Sequence, residues 1–267
     1  MDKSGTVDKA IAVLESLHTA GPSSVAGIGS RLDMARPTVH RLLATLAAHD
    51  LVNRDDQGRW QLGAGLLRLA SGMLSQEPLV AAARPALETA ASAFGETFFV
   101  VAARAGRLFI LDRVEGNGLL RATPQIGSEV PLTTTASGRL YLGLAPEAVA
   151  APSPMTASLR DRIATAAKRG WDVNDGEWQA ELSVVAAAVG YSGDTESAVP
   201  TRKTGMLRPA PLVGTVACAC AASTLKGARL DEAVRHTRQA AADIANALIS
   251  RGEPEFTGAA SAKGNGK

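Results

Sequence analysis

Cysteine, aromatic residues and excess charge are all scarce in this chain, and each scarcity narrows what it can be. Only two cysteines occur among 267 residues, Cys218 and Cys220, too close together to staple distant segments. A disulfide-built secreted scaffold is excluded, and the chain is read as a protein of a reducing compartment, the cytoplasm. Aromatics make up 4% of the residues, so a core has to be assembled from aliphatic side chains and alanine. The net charge of +2 is too small for a general polycation, so any nucleic-acid contact must come from a local arrangement of Arg and Lys. No stretch approaches the ~20 apolar residues that a membrane helix needs. The opening residues Met1-Asp2-Lys3-Ser4-Gly5 carry no apolar signal segment, so neither membrane insertion nor export is expected.

What is present is enough for two cores. The length favours two domains, and 46% apolar with 20% charged residues fits a globular helical or mixed chain rather than a disordered one. Val7, Ala10, Ile11, Leu14 and Leu17 recur at helical spacing and predict a first helix. Gly21-Pro22-Ser23-Ser24 breaks it, and a second short helix is expected over Ser24 to Leu32. After the turn Asp33-Met34-Ala35, Pro37 suits the first turn of a third helix, whose buried stripe is Val39, Leu42, Leu43 and Leu46. Leu51 to Arg54 and Arg59 to Leu62 are extended runs joined by Asp55-Asp56-Gln57-Gly58, which reads as a β-hairpin. Three helices and a hairpin wing define a winged helix-turn-helix over residues 1–63.

A helix interrupted near Pro78 follows from Ala64 to Phe94. Its Leu66, Leu67, Leu69, Ala70, Met73 and Leu74 cover more than one face, marking residues 64–78 as a linker and dimer contact or as an ordinary core helix. Strands are expected at Thr97 to Ala103, Leu108 to Val114, Ser183 to Val189 and Leu212 to Ala221. Helices are expected around Ser158 to Lys168 and from Leu230 to Ser250, giving an α+β sheet domain over 79–252. The Gly/Ser/Thr/Pro-rich stretch Gly190 to Pro211 is read as a long mobile loop, and 253–267 as a disordered tail.

If the apolar stripe of the third helix faces inward, Thr38, His40, Arg41 and Thr45 turn outward or sideways, with Arg36 and Pro37 just ahead of them. Arginine can pair bidentately with guanine, and threonine can bond a base edge or touch a thymine methyl. Arg54 and Arg59 flank the hairpin tip, where a wing meets the DNA backbone or minor groove. The plainer alternative is a solvated face, or a winged helix used for protein contacts.

The runs Arg36-Pro37-Thr38-Val39-His40-Arg41-Leu42-Leu43-Ala44-Thr45-Leu46, Gly127-Ser128-Glu129-Val130-Pro131-Leu132 with Ala136-Ser137-Gly138, and Gly170-Trp171-Asp172-Val173-Asn174-Asp175-Gly176-Glu177-Trp178 carry a resemblance. From about Thr6 to Ser250 the chain resembles the IclR family of bacterial transcription regulators. The resemblance implies a GAF-like effector-binding domain, homodimers or dimers of dimers (homotetramers), and binding to pseudo-palindromic double-stranded DNA operators. It also implies an effector site at Leu132, Ala136, Ser137, Gly138, Asn174, Asp175, Val184, Ala217 and Ala219. Positions 184, 217 and 219 often carry Cys or Ser in members that bind small carboxylates, whereas Val and Ala stand here. Each lost partner would cost glyoxylate roughly 1–3 kcal/mol, so a small organic effector that is larger or less polar is expected.

The enzyme reading is a metabolite-converting sheet domain tethered by the winged helix. It finds no nucleophile, base or metal set to support it. Cys218 and Cys220 could share a face of a strand, but as small buried residues they need no further role. The four histidines, His18, His40, His49 and His236, form no metal-ligand spacing, so no metal and no cofactor are expected. Gly63-Ala64-Gly65 starts a dinucleotide fingerprint that Arg68 breaks. Ser137 lacks a nucleophile elbow, and Asp175 with Glu177 reads as a turn or ligand contact. Trp171 and Trp178 could line a pocket or belong to the core.

Overall fold

A computed structural model describes residues 5–74, 77–118, 124–190 and 212–252. The chain divides into two compact units, Met1–Glu77 and Pro78–Lys267. Residues 191–211 and 253–267, where a long loop and a disordered tail were expected, lie outside the described residues.

The N-terminal unit orders helices α1 (Thr6–Ala20), α2 (Val25–Leu32) and α3 (Arg36–Ala48), strands β1 (Val52–Arg54) and β2 (Trp60–Leu62), and helix α4 (Ala64–Leu74). The α1 stripe differs from the expected one. Val13 is fully buried beside Leu17, while Val7 and Ile11 are exposed. At about 100° per residue, the face centred on Val13 and Leu17 lies roughly 100–140° away from Val7 and Ile11, too far for one inward stripe. The α3 stripe is as expected, with Val39, Leu42, Leu43 and Leu46 buried. Each buried leucine contributes about 1.5–3 kcal/mol.

Gly29 in α2 is required rather than tolerated, because a Cβ there would stand 2.8 Å from the Met34 carbonyl oxygen. The turn into α3 closes against that position, with the Met34 N–H donating to the Gly29 carbonyl at 2.9 Å. Ser23, in the predicted break, exchanges two backbone hydrogen bonds of 2.8 Å with Trp60 and so adds to the hairpin. The Gly63-Ala64-Gly65 run is a packing device. Cβ atoms on these glycines would lie 2.1 Å from the Asp50 carbonyl oxygen and 2.7 Å from that of His49.

The C-terminal unit begins with helix α5 (Pro78–Phe94) and strands β3 (Thr97–Arg104), β4 (Arg107–Val114) and β5 (Glu129–Val130). Helix α6 (Ala136–Leu144), a short 3-10 turn at Pro146–Ala148, helix α7 (Ala157–Arg169) and strand β6 (Trp171–Asp175) follow. Strands β7 (Leu182–Val189) and β8 (Gly214–Ala221) and helix α8 (Ala228–Ser250) complete it. The six strands form one antiparallel sheet in the order β5-β4-β3-β8-β7-β6.

One face of the sheet, with Phe98, Val100, Val185, Ala187, Val216, Cys218 and Cys220, packs against α5 and α8. Those helices meet through Ala83, Ala90, Ala91, Ala241 and Ala245, small side chains that allow close approach. The other face, with Phe99, Val184, Ala186, Ala217 and Ala219, packs under α6 and α7. The fold is α+β, as expected. Elements β5, α6 and β6 were not anticipated by the strand and helix patterns.

Candidate nucleic-acid interface and ligand site

Helix α3 starts with Pro37 in its first turn and has no acidic residue along Arg36–Ala48. With Val39, Leu42, Leu43 and Leu46 turned into the core, Arg36, Pro37, His40, Arg41 and Thr45 are exposed and Thr38 is half-buried. Ala44 and Ala48 are exposed beside them, so small side chains flank the arginine and allow a close approach to the floor of a groove. The side chains of Arg36, His40 and Arg41 make no hydrogen bond or ion pair within the described residues. No contact within the described residues has to be broken before these side chains meet a partner. The Thr45 hydroxyl donates to the Arg41 carbonyl at 3.1 Å, leaving its methyl and an acceptor lone pair for contact.

The wing arginines are placed differently. Asp55 accepts the Gln57 N–H at 3.0 Å and the Arg59 N–H at 2.8 Å, building the turn. It also pairs with the Arg59 guanidinium at 2.8 Å through both Nε and Nη2. Burial pushes the Asp55 carboxyl up, but these bonds and the Arg59 charge outweigh it and leave its pKa below the usual value. Arg54 lies over the Trp60 ring at 4.7 Å. Both wing arginines therefore stiffen the wing as well as presenting charge at it. Asp55 and Trp60 were missed because a turn residue and a core aromatic carry no nucleic-acid signal in sequence.

In the C-terminal unit the strand register aligns Thr97, Ala219, Val184 and Asn174 in one rung across the sheet. Phe99, Ala217, Ala186 and Asp172 form the next rung on that face. Ala136, Ser137 and Gly138 open α6 above them, and these residues are buried together with Asn174, Val184, Ala217 and Ala219. Leu132 is half-buried against the same cluster.

Asp175 is placed apart from the other residues of this set. Successive strand side chains alternate, so Asp175 turns to the opposite face from Asn174. It is exposed there and accepts a hydrogen bond from the Ser183 hydroxyl.

The start of α6 is tied down on several sides. Asn174 Oδ1 accepts the Ala136 N–H at 3.1 Å, Thr135 Oγ1 accepts the Gly138 N–H at 2.9 Å, and the Thr215 hydroxyl donates to Ser137 Oγ at 2.8 Å. A Cβ on Gly138 would stand 2.2 Å from the Leu132 carbonyl oxygen, so the helix rests directly on the preceding loop.

Arg139, one residue further on, is wholly buried. Its Nε donates to Asp172 at 2.5 Å, and Nη1 donates to the Thr133 carbonyl and to Glu177, each at 3.2 Å. Its Nη2 donates to the Val173 carbonyl at 2.9 Å. Glu177 is clasped from outside by both Nη atoms of Arg162 at 2.7 and 2.8 Å. Arg139 and Asp172 were not singled out from the sequence, since a lone arginine in an Ala/Gly/Leu run looks like any exposed cation. Trp171 packs against the α5/α8 core and Trp178 against the α6/α7 core.

Cys218 and Cys220 are both buried and their sulfurs lie 3.7 Å apart, on the sheet face opposite the Asn174 rung. Burial pushes the Cys218 thiol well up, with its Cys220 neighbour adding to the effect, so it is held as a thiol rather than a nucleophile. Among the described residues no group of three or more His, Cys, Asp or Glu side chains is placed to hold a metal. No described helix is long and apolar enough to cross a membrane.

Residues 6–56 match the family model of the IclR helix-turn-helix domain, and residues 71–200 match that of the bacterial transcriptional regulator IclR C-terminal domain. The chain is 36% identical over 142 residues to the probable transcriptional regulator SauR of Cupriavidus necator, covering 52% of this chain and 56% of that protein. It is 29% identical over 138 residues to the repressor AllR of Salmonella typhimurium, covering 51% of each. The chain thus spans about half the length of these curated relatives. An IclR homolog from Microbacterium hydrocarbonoxydans, solved in complex with 4-hydroxybenzoate, superposes with a TM-score of 0.70 at 19% identity. The match covers 92% of this chain and 100% of that one, a likeness of fold. Two domain models in the family's order, on the winged helix and the six-stranded antiparallel sheet just described, place this chain in the IclR family of bacterial transcriptional regulators.

Proposed function

We propose that the protein is a sequence-specific, DNA-binding transcription regulator whose operator affinity is modulated by a small organic effector. The observation that carries this is the α3 surface, where Arg36, Thr38, His40, Arg41 and Thr45 surround exposed small residues on a helix without an acidic side chain. In this reading α3 enters the major groove, and Arg54 and Arg59 bring the wing to the backbone. Residues 1–63 read DNA, 64–78 link, and 79–252 sense the ligand.

The effector site is assigned to Leu132, Ala136, Ser137, Gly138, Asn174, Val184, Ala217 and Ala219. A ligand larger or less polar than glyoxylate fits the aliphatic rung better. The Microbacterium homolog with 4-hydroxybenzoate supports an organic ligand for this fold. The protein acts in the cytoplasm as a homodimer or dimer of dimers on a pseudo-palindromic operator. Half-site spacing must match the separation of two recognition helices, so a ligand that shifts this separation changes affinity without touching a contact residue. The enzyme alternative gains nothing from the relatives, which are named as regulators.

The test is capture and sequencing of genomic fragments on the purified protein at near-physiological salt, which suppresses non-specific phosphate binding. Enrichment of a pseudo-palindrome is the expected result. Absence of any enriched sequence, with and without a metabolite panel, would overturn the proposal.

A further inference from the structure

We propose that the half-site read by α3 is a guanine with A·T pairs a few steps to one side of it, and that those pairs are recognised through their thymine methyls. This rests on the DNA-binding reading above and names the bases.

At about 100° per residue, Pro37, Arg41, Ala44, Thr45 and Ala48 fall within one arc of roughly 100°, opposite the buried stripe of Val39, Leu42, Leu43 and Leu46. All five are exposed. Arg36 and His40 are exposed as well, but on the flank of that arc, where a helix lying in a groove meets phosphates rather than base edges. The arc therefore carries one long polar side chain, Arg41, among proline, alanine and threonine. A guanidinium with no ion pair to give up suits O6 and N7 of one guanine.

The Thr45 hydroxyl is committed instead. It donates to the Arg41 carbonyl at 3.1 Å, which turns the oxygen back to its own helix and leaves the methyl as the outer group. With Ala44 and Ala48 exposed beside it, the C-terminal half of the arc presents three methyls. In the major groove an A·T pair carries one apolar group, the thymine C5 methyl, and a G·C pair carries none. Methyls laid on a G·C edge would strip water from its polar atoms and supply no partner, which is costly. For a helix lying along the groove at 1.5 Å per residue, Thr45 and Ala48 stand roughly 6 and 10 Å beyond Arg41, about two and three base-pair steps of 3.4 Å.

The experiment is selection of binding sites by the full chain from a random-sequence duplex library at near-physiological salt, with and without a metabolite panel. The selected half-site should hold a guanine with A·T pairs about two and three steps away. Its thymines are then replaced one at a time by deoxyuridine, which lacks only the C5 methyl. Each replacement under the methyl face should weaken binding about three- to fourfold, the worth of one buried methyl. In Thr45→Ser, which loses the methyl and keeps the hydroxyl, one of these penalties should vanish. In Thr45→Val, which keeps a methyl and loses the hydroxyl, it should persist. G·C pairs at those steps, no guanine beside them, or deoxyuridine bound as tightly as thymine overturns the inference and leaves DNA binding standing. Penalties in Thr45→Ser that match the wild type overturn the assignment of Thr45. No enriched sequence under any condition counts against the DNA-binding reading itself.

Discussion

The guanidinium of Arg139, wholly buried at the start of α6, donates through Nε to the Asp172 carboxylate on β6 at 2.5 Å. β6 is one of the two edge strands of the sheet, and the same guanidinium donates to the Val173 carbonyl, so one side chain holds this edge of the sheet to the helix above it.

Replacing Arg139 with Met should therefore be severe. It removes the charge while leaving Asp172, Glu177 and two carbonyls facing its space, and breaking one partner of a buried ion pair costs about 3–5 kcal/mol. A urea titration followed by circular dichroism should show the loss confined to the C-terminal unit if the two units unfold separately. A loss below about 1 kcal/mol would mean that water replaces the guanidinium freely.

Glu177 should make the same unit acid-sensitive. Burial raises its carboxyl, but the Arg162 hydrogen bonds and the charges of Arg139 and Arg162 outweigh this and hold the pKa below the usual value of 4.5. A depressed folded-state pKa gives stability that is present above the unfolded value and lost as pH falls through the folded one. Urea midpoints should fall below about pH 4.5 in the wild type. In Glu177→Gln they should start lower at neutral pH and change less over that range.

Gly138→Ala should destabilise α6 without touching any polar group. The new methyl would meet the Leu132 carbonyl oxygen at 2.2 Å, and backbone has to move to admit it. Forced overpacking costs about 1–3 kcal/mol. A melting temperature equal to that of the wild type would show that the loop before α6 yields easily.

On the DNA side, Arg41→Ala should cost about 1–3 kcal/mol on the operator if the side chain reads a base, with relaxed preference at one position. If it holds phosphate, binding should weaken on all sequences alike and the salt slope should fall by about one. Filter binding across a salt series separates the two, and no change in either removes Arg41 from the interface.

The thiols of Cys218 and Cys220 should be inert in the folded protein. Both are buried, and burial raises the Cys218 pKa, so neither thiolate nor access is available. A chromogenic disulfide reagent should react at mildly alkaline pH only after denaturant is added. Rapid reaction of the native chain would show that the sheet opens between β8 and the helices covering it.

The winged helix was legible because its signals are local. Pro37 in the first turn, Val39 to Leu46 at helical spacing and the Asp55 turn each act within a few residues, and the structure uses them where they stand. The long apolar strands β3, β4, β7 and β8 were legible for the same reason. Strand β6 was not, since it is only five residues long and its alternation puts the polar Asp172 and Asn174 on a face that is covered rather than left to solvent. They are accommodated at the sheet only because Arg139 and Ala136, over 30 residues away, supply their partners. Helix α6 was hidden by burial on every side, which leaves no polar face for a periodic pattern to reveal.

By itself, then, the sequence determined the helices and strands whose inward and outward faces alternate along the chain, and the exposed face of α3 that follows from them. The tertiary structure alone decided that β8 lies between β3 and β7, that Asn174 shares a rung with Val184 and Ala219, and that Asp175 turns away. Periodicity reports which way a side chain faces. Which residue it meets there depends on contacts between distant segments, as when Thr97 pairs with Ala219, and only the packed sheet sets those.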